Sequence, residues 1–205
     1  SVHEVDDAIA ELLPALNAGG VERGTLEIAA ALVADGHRSI VISAGGKLVA
    51  PLVAGGSEHI VLDVGRKSLV SLWLVPKLRR LFAELGTDLV HARSRLPAWL
   101  TWLAWRGMDA RTRPRFLTTM HGLNSVNAYS GIMARGERVI CVSQTVREHI
   151  LAHYPKTDPA RLRVIPRAVD PLESPNGHRA DGDWRKRFVA EHPALASPAP
   201  WLCLA

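Results

Sequence analysis

Short apolar runs alternate along the chain with longer stretches in which apolar residues recur every three or four positions. The short runs have the length and continuity of strands buried on both faces, and they predict strands over residues 8–13, 39–43, 59–62, 87–92, 115–119, 138–142 and 161–165. The longer period predicts helices over 21–34, 47–54, 68–85, 97–106 and 144–153. In the first helix Val21, Leu26, Ala29, Leu32 and Val33 share one broad face, and Gly36 supplies a left-handed cap after its end. Pro51 interrupts or starts the second helix and Pro76 starts or kinks the third, since proline cannot donate to a preceding carbonyl. Strand following helix throughout predicts an α/β fold: a doubly wound, mostly parallel, Rossmann-like sheet with right-handed crossovers. One position breaks the pattern. Glu11 falls inside the first strand, where a buried carboxylate needs a partner.

Beyond the last predicted strand the pattern changes. Pro171, Pro175, Pro193, Pro198 and Pro200 punctuate a polar stretch in which only residues 184–190 have helical character, and the apolar run 201–205 looks like the first strand of another unit. The expected organisation is one domain over 8–172, then a linker and the start of a second, truncated domain over 173–205.

Composition narrows the function classes. A chain of 205 residues, 47% hydrophobic, can bury a full α/β core. It has no apolar run of about 18 residues and no basic-then-apolar start of a secretory signal, so a cytoplasmic protein is expected. Cys141 and Cys203 form neither a disulfide framework nor a metal site, and Cys141 reads as a small hydrophobe. The net charge of +5 favours anionic partners, but zinc-finger spacing, aromatic RNA-binding strands and long basic blocks are absent, which disfavours nucleic acid. Lys77, Arg79 and Arg80 beside Leu and Trp read first as a solvated helix face, with membrane-surface contact as the alternative. Trp99, Trp102 and Trp105 read as helix-to-sheet packing in preference to a sugar platform.

In an open parallel sheet ligands bind beyond the C-terminal strand ends. That edge collects Gly19 and Gly20 after the first strand, Arg93, Ser94 and Arg95 after the fourth, His121 and Gly122 after the fifth, Ser143 after the sixth and Arg167 after the seventh. The glycine pair precedes a helix N-terminus, whose free N–H groups and positive dipole end attract an anion. Each residue also has a plainer role: turn geometry for the glycines, a structural histidine, solvated arginines, and for Ser143 the N-cap of the next helix.

Several stretches taken together resemble a family. LLPALNAGGVERGTLEIAAALVADGH, LVHARSRLPAW, FLTTMHG, RVICVSQTVREHI and RLRVIPRAVDP are similar, in order and spacing, to the N-terminal domain of glycosyltransferase family 4 enzymes of the GT-B fold, in particular bacterial transferases of lipopolysaccharide-core and other cell-surface glycans. The resemblance implies an acceptor-side domain that faces a nucleotide-sugar-binding domain, and a retaining, metal-independent transfer from a nucleotide-sugar donor to a glycan or lipid-linked acceptor, with no cofactor. It implies that Gly19, Gly20 and Arg167 lie against the donor phosphates, that His121 lies at the reaction centre, and that Arg93, Ser94, Arg95, Gly122 and Ser143 line the acceptor side. It also implies a site in the cytoplasm or peripheral at the inner face of the cytoplasmic membrane, and a 205-residue chain that is inactive alone. Ala168 replaces the glycine usual in the family's Ile-Pro-Asn-Gly-Val-Asp or Ile-Pro-Arg-Gly-Val-Asp motif.

Three alternatives remain open: a GT-B nucleotide-sugar epimerase, which needs acid/base carboxylates not located in the sequence; an NAD(P)-binding oxidoreductase, disfavoured by the missing third glycine and by Ser43-Ala44-Gly45-Gly46 where an acidic residue belongs; and a non-catalytic binding or membrane-peripheral module.

Overall fold

The computed structural model describes residues 7–167, 177 and 181–196. The chain divides into two compact units, 1–167 and 168–205. In the first, seven strands form one sheet: β1 (Ala8–Leu12), β2 (Arg38–Ser43), β3 (Glu58–Val61), β4 (Leu89–Ala92), β5 (Arg115–Met120), β6 (Arg138–Cys141) and β7 (Leu162–Val164). Every pairing is parallel and the order is β3-β2-β1-β4-β5-β6-β7. The fold is therefore the expected doubly wound, Rossmann-like α/β architecture, and the strand order reverses between β1 and β4, where a crevice opens at the C-terminal edge.

Side chains alternate across the sheet. Ala10, Leu12, Ile40, Ile42, Val90 and Ala92 join the larger core cluster with Leu78 and Phe82 of α3 (Leu74–Leu85) and Ala98, Leu100 and Ala104 of α4 (Arg95–Arg106). On the other face Leu13 and Val41 pack with Ala29 of α1 (Gly20–Ala34) and Leu52 of α2 (Val49–Ala54). Two further helices are α5 (Gln144–His153), as predicted, and α6 (Trp184–Glu191) in the second unit. Cys141 is buried in the core as a small hydrophobe. Cys203 and the apolar run 201–205 lie outside the described residues.

Three expectations need correction. The helix predicted over 68–85 is a 3-10 turn, Leu69–Trp73, followed by α3, and α4 begins two residues before Pro97. Pro51, Pro76 and Pro97 each occupy the third position of their helix, where the backbone N–H has no helical acceptor and its loss costs nothing. The apolar stripe of α1 is also narrower than predicted: Thr25 and Ala29 are buried, whereas Val21, Leu32 and Val33 are half-exposed at the margins of the contact.

Candidate active site

The site forms at the β1/β4 reversal, on the face covered by α1. Glu11 of β1 is fully buried, and register places it opposite His91 of β4. Its partner is the side chain two residues further along: Arg93 Nη1 donates to Glu11 Oε1 at 2.9 Å, with Arg93 itself only 3% exposed. His91 Nδ1 lies 3.1 Å from the same oxygen, and its Nε2 lies 2.7 Å from Thr119 Oγ1 on β5. A carboxylate oxygen can only accept, so Nδ1 carries the His91 proton and Nε2 accepts from Thr119. Burial pushes the His91 pKa below the ordinary imidazole value, against the pull of Glu11. A chain of polar contacts thus crosses three adjacent strands beneath the crevice.

Above this layer lie the glycine turn and the end of β7. Gly19 adopts φ 140°, a conformation that disfavours any side chain, and Gly20 opens α1. A Cβ on Gly20 would overlap Nη1 of Arg167, so the guanidinium lies directly against the helix N-terminus. Glu22 occupies the Gly19 side of the same turn, its Oε2 2.6 Å from where a Gly19 Cβ would be. The cationic half of the site is therefore at Gly20. Gly24, one turn on, leaves room for Arg93, whose Nη2 would be 3.3 Å from a Cβ there.

His121 links the two layers. Arg167 Nη2 donates to its Nδ1 at 2.9 Å, which leaves the imidazole proton on Nε2. That Nε2 is buried and has no protein partner. Burial, followed by the nearby charges of Arg93 and Arg167, pushes the His121 pKa down to about 3. At neutral pH His121 is thus an uncharged donor flanked by two guanidinium groups and a helix N-terminus.

The remaining candidates are placed as follows. Ser94 precedes α4 in extended conformation, and its hydroxyl makes no cap bond. Arg95 Nη1 reaches Ser130 Oγ at 3.3 Å, and its guanidinium lies 5.5 Å from the Tyr129 ring centroid. Gly122 has open space around it. Ser143 caps α5, accepting from Val146 N–H at 3.2 Å. The structure thus brings Gly20, Arg93, His121 and Arg167 together. Glu11, His91 and Thr119 join the site although none of them lies at a strand end. Strand periodicity signals them, since 91 and 93, and 119 and 121, alternate onto one face.

The model of Glycosyltransferase Family 4 matches residues 18–172, more than half of the sequence. The chain belongs to glycosyltransferase family 4. A solved glycosyltransferase from Rickettsia africae ESF-5 is 32% identical over 96% of this chain and 52% of its own, with a TM-score of 0.73. Anabaena Alr3699/HepE, solved in complex with UDP and glucose, is 18% identical over 91% of this chain and 50% of its own, with a TM-score of 0.68. WaaG, a glycosyltransferase involved in lipopolysaccharide biosynthesis, is 14% identical over 90% and 51%, with a TM-score of 0.64. The last two share the fold, the Rossmann-like half of a GT-B enzyme. The chain spans about half the length of each of these solved proteins. No curated protein sequence matches it. Among the described residues no helix is long and apolar enough to cross a membrane.

Proposed function

We propose that this chain is the acceptor-side half of a retaining glycosyltransferase that moves a sugar from a nucleotide-sugar to a cell-surface glycan or lipid-linked acceptor, without a metal. The observation that carries this is the convergence of the α1 N-terminus at Gly20, the Arg167 guanidinium and the unpartnered His121 Nε2–H. Two cationic groups side by side repel unless an anion lies between them, and a departing nucleoside diphosphate is such an anion. Charge grows on its leaving oxygen as the glycosidic bond breaks, and donors already fixed in place stabilise that charge without reorganising. His121, neutral and flanked by these cations, is suited to donate to a sugar hydroxyl or phosphate oxygen. Arg95, Ser94, Gly122 and Ser143 lie on the neighbouring loops of the same edge and are assigned to the acceptor. The UDP complex of Anabaena Alr3699/HepE supports a uridine nucleotide as first probe. We also assign peripheral contact with the cytoplasmic membrane to the patch where Trp73, 80% exposed, neighbours Lys77 and Arg80.

Calorimetric titration of UDP into the full-length protein tests the site. Gly20→Ala displaces only the flexible end of Arg167, so it is expected to weaken UDP, or turnover of a UDP-sugar, by roughly tenfold or more while the melting temperature stays put. Arg167→Gln is expected to act likewise. Wild-type affinity in both variants refutes the phosphate assignment.

A further inference from the structure

The N-terminal edge of the sheet, opposite the candidate active site, carries a second concave surface. A cavity of about 960 Å³ lies among the C-terminal ends of α4 and α5 and the segments that lead into β5, β6 and β7. That volume is at the upper end for small-molecule sites, near 1,000 Å³. Five cationic side chains line it: Arg106, Arg113, Arg135, Lys156 and Arg161. The acid on its wall, Glu137, is already committed, because its Oε2 accepts from Phe116 N–H at 2.9 Å and its Oε1 lies 3.7 Å from Arg115. Among the described residues, none of the five cationic heads makes an ion pair or a side-chain hydrogen bond.

Aromatic stacking holds the cations in place. The Arg113 guanidinium carbon lies 3.4 Å from the Trp105 ring centroid, and Trp105 is itself fixed by donating from Nε1 to Pro114 O at 2.8 Å. Arg106 and Arg135 lie 4.6 and 4.9 Å from the Trp102 centroid. Stacking uses the faces of the guanidinium groups and leaves their N–H edges free, the edges that match a phosphate bidentately. Gathering unpaired cations around a concavity costs electrostatic energy that a bound anion recovers.

We propose that this cavity is a second anion site that binds a phosphorylated ligand through the N–H edges of Arg106, Arg113, Arg135 and Arg161. It shares no residue with the Gly20–Arg167–His121 site and stands whether or not that assignment holds.

The test uses inorganic pyrophosphate, titrated at constant ionic strength into the Arg167→Gln protein so that the opposite edge is silenced. Saturable binding is expected, weakened roughly tenfold or more in the added double substitution Arg113→Gln/Arg161→Gln. Because Arg113 also covers Trp105, Arg106→Gln/Arg161→Gln is measured beside it, and a folded variant of either kind suffices. Phosphatidylglycerol vesicles form a second arm in a Trp73→Ser background. Vesicle binding without pyrophosphate binding, lost in the double variants, assigns the phosphate to a lipid headgroup. Binding of neither probe, or binding unchanged in the folded double variants, overturns the proposal.

Discussion

Replacing Glu11 by Gln isolates one quantity, the charge that balances Arg93. The amide oxygen can still accept from Arg93 Nη1 and His91 Nδ1, at 2.9 and 3.1 Å in the native protein, so shape and hydrogen bonds are largely kept. The negative charge goes, and Arg93, 3% exposed, is left as a buried cation without a counterion. Removing one partner of a buried pair costs about 3–5 kcal/mol, a large share of the roughly 5–15 kcal/mol that holds a domain together. Glu11 Oε2 has no partner in the native fold, so the new amide N–H₂ finds no acceptor there and adds to the cost. Urea denaturation of Glu11→Gln, Arg93→Met and the double variant completes a cycle. The double variant is expected to lose less than the sum of the singles by at least about 2 kcal/mol, since it removes the stranded charge. A cost below about 1 kcal/mol for Glu11→Gln, or strict additivity, refutes the view that Glu11 and Arg93 are a mutually dependent pair.

Two further outcomes are expected, one at His121 and one at the Trp73 patch. His121 titrates near 3 in the folded protein against an ordinary value of 6.5, so below pH 6.5 the unfolded chain takes up a proton that the folded one refuses, and stability falls as pH drops. Between pH 6.5 and about pH 5 this group removes roughly 1.7 kcal/mol, the slope approaching about 1.36 kcal/mol per unit as the unfolded histidine becomes fully protonated, and His121→Gln should flatten the measured pH dependence by that amount; an equal dependence in both proteins contradicts the neutral, half-buried imidazole. For the membrane patch, co-sedimentation of the wild-type chain with phosphatidylglycerol vesicles but not with phosphatidylcholine vesicles is expected, reduced severalfold by Trp73→Ser; equal sedimentation of variant and wild type refutes the assignment.

Much of the fold was legible because each buried strand declares itself locally. Runs such as Ser39-Ile40-Val41-Ile42-Ser43 are short and apolar with β-branched residues at their centre, which favours a strand buried on both faces. The helix starts were less legible for one physical reason. A proline marks the first turn of a helix but not which of the early positions it occupies, because the first four N–H groups all lack acceptors. Pro51, Pro76 and Pro97 each sit third, so the start placed at Pro97 falls two residues late, whereas the ranges begun at 47 and 68 start before Val49 and Leu74.

The site divides along the same line. The glycine turn, His121 and Arg167 were legible because strand ends are ligand edges in a parallel sheet, and a strand end can be read from the sequence. What could not be read is the dependence of that edge on the layer beneath it. Glu11 stood out as a carboxylate in a buried strand, yet its partner is 82 residues away and could be any cation that the sheet order delivers. Only the reversal between β1 and β4 sets Glu11 beside His91 and Arg93, and Arg93 Nη2 lies close under α1 at Gly24, 3.3 Å from where a Cβ would be. Arg93 then has two effects. It neutralises Glu11 below, and its field helps to keep His121 uncharged above. Arg93 was expected to line the acceptor side, and at 3% exposure it lies beneath that edge. A substitution there should therefore register first in stability and in the titration of His121, and reach the ligand only through them.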